Sequence, residues 1–201
     1  MNVALVDYGA GNVPSVERAV QKLGATTRRV TQPEELSAAK AIILPGVGHY
    51  AAMLRALDTQ DLRTALLAAI SRRVPFLGIC LGLQALYASS QEAPTFAGLR
   101  VLEGEVRSLP DTVKLPHMGW NRVREVKTSP LLEGLNGSDY FYFAHTFAVT
   151  NSLSDAVAIC EHGTSFTAVL QRNNIFATQF HPEKSGDAGA RLLKNFLGLA
   201  A

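Results

Sequence analysis

The stretch VPFLGICLGLQALYASS, residues 74–90, determines how the rest of the sequence is interpreted. Its first half, VPFLGIC, is apolar and predicts a buried strand, while LGLQALYASS predicts a helix that begins directly after it. A strand followed at once by a helix is the repeating step of a βαβ fold, in which parallel strands form a sheet covered on both faces. Cys80 lies at the junction of the two predicted elements.

The segments before this stretch repeat the same alternation. The predicted strands are NVALVDY (2–8), TTRRVT (26–31) and KAIILPG (40–46). The predicted helices are VERAVQKLGA (16–25), which Gly24 stops, and residues 51–73, with an interruption near Asp58–Asp61. This order indicates right-handed crossovers and a parallel sheet.

After about residue 98 the pattern changes to strands with no long helix between them. These strand-like segments are RVLEGEVRSL (100–109), VREV (123–126), YFYFAHTFAVT (140–150), AVAICEH (156–162), FTAVLQR (166–172) and IFATQF (175–180). Arg172-Asn173-Asn174-Ile175 predicts a tight hairpin, and GDAGARLLKNFLGLA predicts a final helix. We therefore expect an α/β fold in one domain over residues 1–201. Its sheet is flavodoxin-like, open and mostly parallel, with helices on both faces and an antiparallel extension in the C-terminal half.

Composition excludes several classes of protein. Hydrophobic residues make up 47% of the 201 residues and charged residues 18%, which argues against disorder. The formal net charge of +2 and the lack of a charged block argue against nucleic acid or an anionic membrane as partner. No apolar stretch approaches the roughly 20 residues of a membrane span, and the start does not resemble a signal peptide. Two cysteines form no disulfide framework, so we expect a reducing cytoplasm.

Gly78 and Gly82 each lie two residues from Cys80, which is the spacing of a nucleophile elbow. In that motif a sharp turn forces the backbone of the nucleophile into an unfavourable region and leaves room only for small neighbours. The sulfur would lie at the carboxyl edge of the sheet, over the N-terminus of the next helix, where a thiolate is stabilised. The alternative is a buried structural cysteine. The glycines favour a nucleophile, because a core cysteine does not need them.

The motif QFHPEKSG supplies a base and a carboxylate. Pro182 biases His181 toward an extended conformation, in which residues two apart point to the same side. Glu183 can then hold one imidazole nitrogen while the other faces the sulfur. A metal site is the alternative, but no further Cys or His lies at ligand spacing, and the paired Cys motif of the zinc deaminases is absent. We expect no metal.

LPGVGHY, residues 44–50, follows a predicted strand and holds two glycines in three positions. Backbone N–H groups in such a turn can point at a developing oxyanion, and the N–H of Leu81 is the natural second donor. A plain turn is the alternative. Gly9-Ala10-Gly11 is not a dinucleotide loop, because Pro14 stands where that fingerprint requires glycine.

Together, GICLGLQ, LPGVG and FHPEKSG resemble the nucleophile, oxyanion and His/Glu motifs of the class I glutamine amidotransferases, in the expected order. DYGAGNVPSV (7–16) and LPHMGWN (115–121) are similar, more specifically, to the glutaminase subunits of imidazole glycerol phosphate synthase, from histidine biosynthesis. The resemblance covers nearly the full length and implies no cofactor.

The resemblance implies that Cys80 attacks the side-chain carboxamide of L-glutamine. His181, oriented by Glu183, would protonate the leaving ammonia and then deprotonate the water that releases glutamate. Ammonia would pass into a separate (β/α)8-barrel synthase subunit, which makes imidazole glycerol phosphate and an aminoimidazole carboxamide ribotide.

The resemblance also assigns three further sets of residues by position. The oxyanion hole would be formed by Val47 or Gly48 together with Leu81. Glutamine would contact Gly46, Gln84, Glu92, His145 and Thr146. The synthase subunit would contact Asn12, Trp120 and Lys184, although Trp120 as a core residue and Lys184 as a solvated charge are the plainer interpretations.

Two residues depart from the family pattern. Phe147 stands where tyrosine is common, and Ala10 stands where a bulkier residue is usual. Cys160 and His162 are assigned to structure.

Several alternatives stay open from the residues. Other amidotransferase subunits, for pyridoxal phosphate, anthranilate and guanylate synthesis, share the Cys-His-Glu core, although PHMGWN and DYGAGN favour the histidine pathway. A thiol hydrolase or esterase that works without a partner is a second class. A binding module with a dead site is a third, against which the intact triad argues.

Overall fold

The computed structural model describes residues 2–200 of the chain. The strands are β1 (Asn2–Val6), β2 (Thr26–Val30), β3 (Ile42–Gly46), β4 (Phe76–Cys80), β5 (Tyr87–Ser90), β6 (Leu102–Ser108), β7 (His117–Arg122), β8 (Arg124–Glu125), β9 (Tyr140–His145), β10 (Phe147–Ala148), β11 (Ala156–Glu161), β12 (Ser165–Arg172) and β13 (Ile175–Thr178). The α-helices are α1 (Val13–Lys22), α2 (Tyr50–Thr59), α3 (Leu62–Ser71), α4 (Leu81–Gln84) and α5 (Gly186–Leu199). Short 3₁₀ turns cover Pro33–Leu36, Pro130–Leu132 and Pro182–Lys184.

An eight-stranded sheet in the order β2-β1-β3-β4-β13-β12-β11-β8 forms the centre of the protein. Its first five strands are parallel, and their order is that of a flavodoxin-like sheet. The last three strands continue the sheet in antiparallel register. Asn173 has a φ of 56° in the turn between β12 and β13, which allows the predicted hairpin. The predicted α/β class and sheet are confirmed.

Helices cover both faces of this sheet. In β1, Val3 and Leu5 pack into the apolar layer that also holds buried residues of α1 and α5. Ala4 and Val6 point to the opposite layer, with residues of α2 and α3. This alternation buries successive side chains on opposite sides, which explains why the central strands are apolar without interruption.

Two smaller sheets stand beside the main one. One has the order β10-β6-β5, and the other pairs β7 with β9 in antiparallel register, so that His117 lies opposite His145. The sequence did not predict β7, because HMGWNR lacks an alternating apolar pattern. Its Met118 and Trp120 are exposed instead.

The segment after Cys80 differs from the prediction of one helix over residues 81–90. Only Leu81–Gln84 is helical, and Tyr87–Ser90 is the strand β5, which pairs with β6. The carbonyls of Ala85 and Leu86 accept hydrogen bonds from backbone N–H groups of residues 99–102. This non-local pairing satisfies the backbone better than continuation of the helix, and local periodicity does not report it.

Candidate active site

Cys80 is held in a strained turn at the carboxyl end of β4. The strand ends at Cys80 and α4 begins at Leu81. The backbone of Cys80 has φ 54° and ψ −105°, which is unfavourable for a residue with a side chain. A Cβ on Gly82 would come within 2.0 Å of the Leu44 carbonyl oxygen, and one on Gly78 within 2.7 Å of the Gly82 carbonyl oxygen. The turn therefore requires glycine at both positions, as the elbow motif predicts.

The helix after Cys80 is too short to supply the predicted dipole. It spans four residues, Leu81–Gln84, so it sums only a few peptide dipoles. Two side chains, His181 and Gln179, are hydrogen-bonded to the sulfur instead.

His181 lies between Cys80 and Glu183, and all three side chains are largely buried. Its Nδ1 is 2.9 Å from Glu183 Oε1, so the other ring nitrogen makes the hydrogen bond to Cys80. Burial lowers the pKa of His181, but the hydrogen bonds to Cys80 and Glu183 outweigh it and raise the pKa to about 10. A raised pKa of His181 favours the protonated imidazole, which places a proton donor between the sulfur and the Glu183 carboxylate.

Asn12 reaches the same carboxylate. Its side-chain amide donates to Glu183 Oε1 at 3.0 Å, while Glu183 Oε2 is buried without a partner among the described residues. The sequence assigned Asn12 to a partner interface by resemblance and gave no signal for this contact.

A cavity of about 300 Å³ opens over the sulfur. Many residues that the sequence singled out line it: Val47, Gly48, Cys80, Leu81, Gln84, Glu92, His145, Thr146, His181 and Lys184. Pro116, Met118, Ala144 and Phe147 complete the wall. Gly46, Asn12 and Trp120 are not among the lining residues. Gly46 instead pairs with Cys80 across β3 and β4, where a Cβ would lie 2.6 Å from that of Leu81.

Gln84 and Gln179 connect the cavity wall to the sulfur. Gln84 Nε2 donates to the Phe147 carbonyl at 2.8 Å and to Gln179 Oε1 at 3.2 Å. Gln179 Nε2 in turn lies 3.7 Å from Cys80 Sγ. Sequence reasoning missed Gln179, although its position two residues before His181 is a usable signal, because an extended segment points both side chains the same way.

His145 belongs to a hydrogen-bonded chain of neutral rings. Its Nδ1 is 3.0 Å from the Phe147 carbonyl, so it donates there and its Nε2 accepts from Nδ1 of His117, also at 3.0 Å. Asn121 Nδ2 lies 3.2 Å from His117 Nε2 and completes the chain. Because both ring nitrogens of His145 are engaged, its ring shapes the cavity wall and has no free nitrogen for a ligand. His162 stacks on His117 with ring centroids 4.2 Å apart.

Glu92 and Lys184 place opposite charges on the cavity wall. Glu92 Oε2 accepts from the backbone N–H of Tyr50 at 2.9 Å, which anchors the carboxylate to the start of α2. Lys184 Nζ lies 5.6 Å from the ring centroid of Tyr142, a cation–π contact. Trp120 is 56% exposed, so the core interpretation of that residue is wrong.

Comparison with known proteins identifies the family of this chain. The family model described as glutamine amidotransferase class-I matches residues 4–199. A protein of Methanothermobacter thermautotrophicus, imidazole glycerol phosphate synthase subunit HisH, is 45% identical over 195 residues, covering 97% of each chain. The chain belongs to the HisH glutamine amidotransferases. It is a class I glutaminase by family, which confirms the resemblance.

Further relatives and two solved structures are also similar to this chain. The HisH subunits of Moorella thermoacetica and Methanocaldococcus jannaschii are 43% and 42% identical, and cover 96% and 98% of this chain and 93% and 99% of their own. A crystal structure of a glutamine amidotransferase has a TM-score of 0.79 at 22% identity, covering 98% of both chains. PurLQS from Thermotoga maritima also has a TM-score of 0.79, at 19% identity, with 100% and 99% coverage. At such identities these structures support the fold.

Residues 2–200 contain no helix long and apolar enough to cross a membrane. In the same range, no three His, Cys, Asp or Glu residues lie close enough together to hold a metal ion. Neither Cys80 nor Cys160 forms a disulfide bond among these residues. Burial raises the pKa of Cys160 to about 12, which keeps that thiol protonated.

Proposed function

We propose that this chain, acting as one domain, hydrolyses L-glutamine to glutamate and ammonia through a thioester on Cys80. The observation that carries the proposal is His181, hydrogen-bonded to both Cys80 and Glu183 at the edge of a cavity. An imidazolium beside a thiolate supplies a nucleophile and an acid in one contact.

The first half of the reaction forms the thioester. The Cys80 sulfur bonds to the carboxamide carbon, and the carbonyl π electrons move onto oxygen. The N–H of Leu81, with that of Val47 or Gly48, holds the oxyanion. When the oxyanion collapses, His181 gives its proton to the nitrogen, the C–N bond breaks and ammonia leaves.

The second half releases glutamate. The neutral His181 takes a proton from water, and the resulting hydroxide attacks the thioester carbon. The C–S bond then breaks, and its electrons return to sulfur as thiolate beside the imidazolium. Glu183 holds Nδ1 throughout, which keeps the other ring nitrogen aimed at the reacting atoms.

The charged and polar residues of the cavity suit a free amino acid. The Glu92 carboxylate complements an α-ammonium group, and Gln84 and the Thr146 segment line the wall on which the side chain would lie. Gly46 acts indirectly, because its lack of a side chain lets Leu81 approach β3.

The synthase partner would dock on the exposed apolar residues of β7 and β9. Met118, Trp120 and Tyr140 are 64%, 56% and 45% exposed, and Met118 also lines the cavity. Exposed aromatic and Met side chains of this kind commonly anchor protein interfaces. We assign this face, with Asn12 and Lys184, to a (β/α)8-barrel synthase subunit. That subunit receives the ammonia in the cytoplasm and makes imidazole glycerol phosphate and aminoimidazole carboxamide ribotide.

A glutamine-analogue electrophile tests the nucleophile directly. Mass spectrometry after treatment should find one adduct, on the peptide that contains Cys80, and none in Cys80→Ala. Labelling of Cys160 instead, or no labelling in the presence or absence of the synthase subunit, would contradict the proposal.

Coupling to the partner is tested by turnover. Glutamine hydrolysis by the isolated chain should be weak and should rise strongly with the synthase subunit and its nucleotide ligand. Full activity of the isolated chain would favour a hydrolase that works alone.

A further inference from the structure

Gln179 is in contact with the sulfur that the proposed reaction uses. Its side-chain Nε2 lies 3.7 Å from Cys80 Sγ, and the residue is completely buried. We propose that Gln179 donates an N–H to the Cys80 thiolate, as a second donor beside His181, and so stabilises and positions the nucleophile. This inference rests on the proposed role of Cys80.

The direction of the hydrogen bonds around Gln179 is fixed by a backbone carbonyl. The Phe147 oxygen can only accept, so the Gln84 group 2.8 Å away must be its NH₂. The second N–H of that NH₂ points at Gln179 at 3.2 Å and requires an acceptor there, which is Oε1. The NH₂ group of Gln179 is therefore the end that faces the sulfur.

The backbone holds Gln179 rigidly in this position. It directly follows β13, where Thr178 lies beside Ile79, the residue before Cys80. Its own N–H donates to the Ala168 carbonyl at 2.9 Å. The side chain therefore reaches the carboxyl edge of the sheet, next to the nucleophile, from the neighbouring strand.

A second donor at the sulfur suits the proposed chemistry. A hydrogen bond to an ionised acceptor is roughly twice as strong as a neutral one, and burial strengthens it further. The N–H stabilises the thiolate before attack, and it stabilises the same thiolate when the C–S bond breaks during thioester hydrolysis. The four-residue helix α4 cannot supply this stabilisation through its dipole.

The chain of hydrogen bonds also connects the substrate cavity to the nucleophile. Gln84 lines the cavity and is the donor that orients Gln179. A ligand that displaces Gln84 would release the Gln179 amide, so the two glutamines form one positioning unit for the sulfur.

The test is the pH dependence of Cys80 alkylation by iodoacetamide, followed by peptide mass spectrometry on the whole chain. Gln179→Met removes the donor without adding charge, and Gln179→Glu keeps the shape and the acceptor for Gln84 but loses the donor. We expect the midpoint of the alkylation profile to rise by about one pH unit in Gln179→Met, the size of one charge-assisted hydrogen bond, and further in Gln179→Glu.

Gln171→Met is the matched control. Gln171 lies on β12 and its side chain bonds to Ser129 rather than to the cavity, so the wild-type midpoint is expected. An unchanged midpoint in Gln179→Met would overturn the inference. If Gln179→Met does not fold, an unchanged midpoint in Gln179→Glu would overturn it, because that variant both loses the donor and adds a like charge beside the sulfur. Adduct formation with the glutamine analogue separately reports whether Cys80 is the nucleophile, so the two proposals fail in different ways.

Discussion

Asn12 donates a hydrogen bond to Glu183 across 171 positions of sequence, and it does so at the same oxygen that holds His181. The contact joins the start of α1 to the carboxylate that orients the proposed base. A residue that the family resemblance places at the partner interface is thus hydrogen-bonded directly to the proposed orienting carboxylate. A partner that contacts Asn12 would therefore change the hydrogen bonding of Glu183.

Asn12→Asp tests this contact. Asn12 has a φ of 56°, which Asp tolerates as well as Asn, so the backbone is preserved while the donor becomes a carboxylate facing Glu183. We expect kcat for glutamine hydrolysis at saturating synthase subunit to fall at least about tenfold, because a hydrogen bond to a charged group is lost. A weaker complex with unchanged kcat at saturation would mean that Asn12 serves binding alone.

Cys80→Ala should abolish synthesis that depends on glutamine and preserve synthesis from added ammonia in the complex. The reason is that ammonia can enter the barrel subunit without the thioester step. The measurement is product formation with each nitrogen donor. Loss of both activities would show that Cys80 is structural.

The strained backbone of Cys80 predicts a difference between two small replacements. Cys80→Gly relieves the φ of 54°, whereas Cys80→Ala keeps the strain. Glycine in the unfolded chain offsets part of this gain, so we expect Cys80→Gly to be more stable than Cys80→Ala by about 1 kcal/mol. Urea unfolding of the isolated chain measures it. Equal stabilities would mean that the turn relaxes once the sulfur is absent.

The tight approach at Gly82 predicts a large loss of stability. A Cβ there would lie 2.0 Å from the Leu44 carbonyl oxygen, so Gly82→Ala must displace β3 from α4. We expect a loss of about 3 kcal/mol or more in the free energy of unfolding. Gly198→Ala in α5 is the control, because among residues 2–200 no atom beyond its chain neighbours and its own helix backbone lies within 4 Å of the added Cβ. That variant should be neutral or stabilised by up to about 1 kcal/mol.

The neutral histidine chain predicts sensitivity to acid. Burial lowers the pKa of His145 to about 3 and that of His117 to about 4, from 6.5. Below pH 6.5 the folded state therefore binds fewer protons than the unfolded state. The contribution of the two neutral rings to the free energy of unfolding is complete above pH 6.5 and is lost as the pH falls toward 4.

Urea unfolding at pH 7 and at about pH 4.5 measures the effect, which is at most about 1.4 kcal/mol per pH unit for each ring. His145→Gln can donate and accept but cannot titrate, so it should lose less stability than wild type over this interval. Equal losses of stability in His145→Gln and wild type would contradict the conclusion that His145 is neutral in the folded protein.

Trp120→Ala tests the proposed docking face. The side chain is 56% exposed, so its removal should change the stability of the isolated chain by less than about 1 kcal/mol. If Trp120 anchors the synthase subunit, the affinity of the complex should fall by a factor of about 30 or more, as for an interface hot spot. Titration calorimetry with the barrel subunit measures this, and unchanged affinity would remove the residue from the interface.

The sequence by itself determined the parallel α/β class, the glycine-flanked turn at Cys80 and the pairing of His181 with Glu183. Each depends on residues a few positions apart, so strand alternation and the steric limits of one turn are sufficient to predict it. The spacing of Gly78 and Gly82 also predicts an unfavourable backbone at Cys80, and the structure gives that residue a φ of 54°.

Only the tertiary structure decided what surrounds that turn. The helix after Cys80 ends within one turn, because the backbone of residues 99–102 donates hydrogen bonds to the carbonyls of Ala85 and Leu86, and β6 pairs with β5. Gln179 and Asn12 reach the site across 99 and 171 positions, respectively. Hydrogen bonds between residues so far apart depend on strand order and on helix packing, which no local pattern of residues encodes.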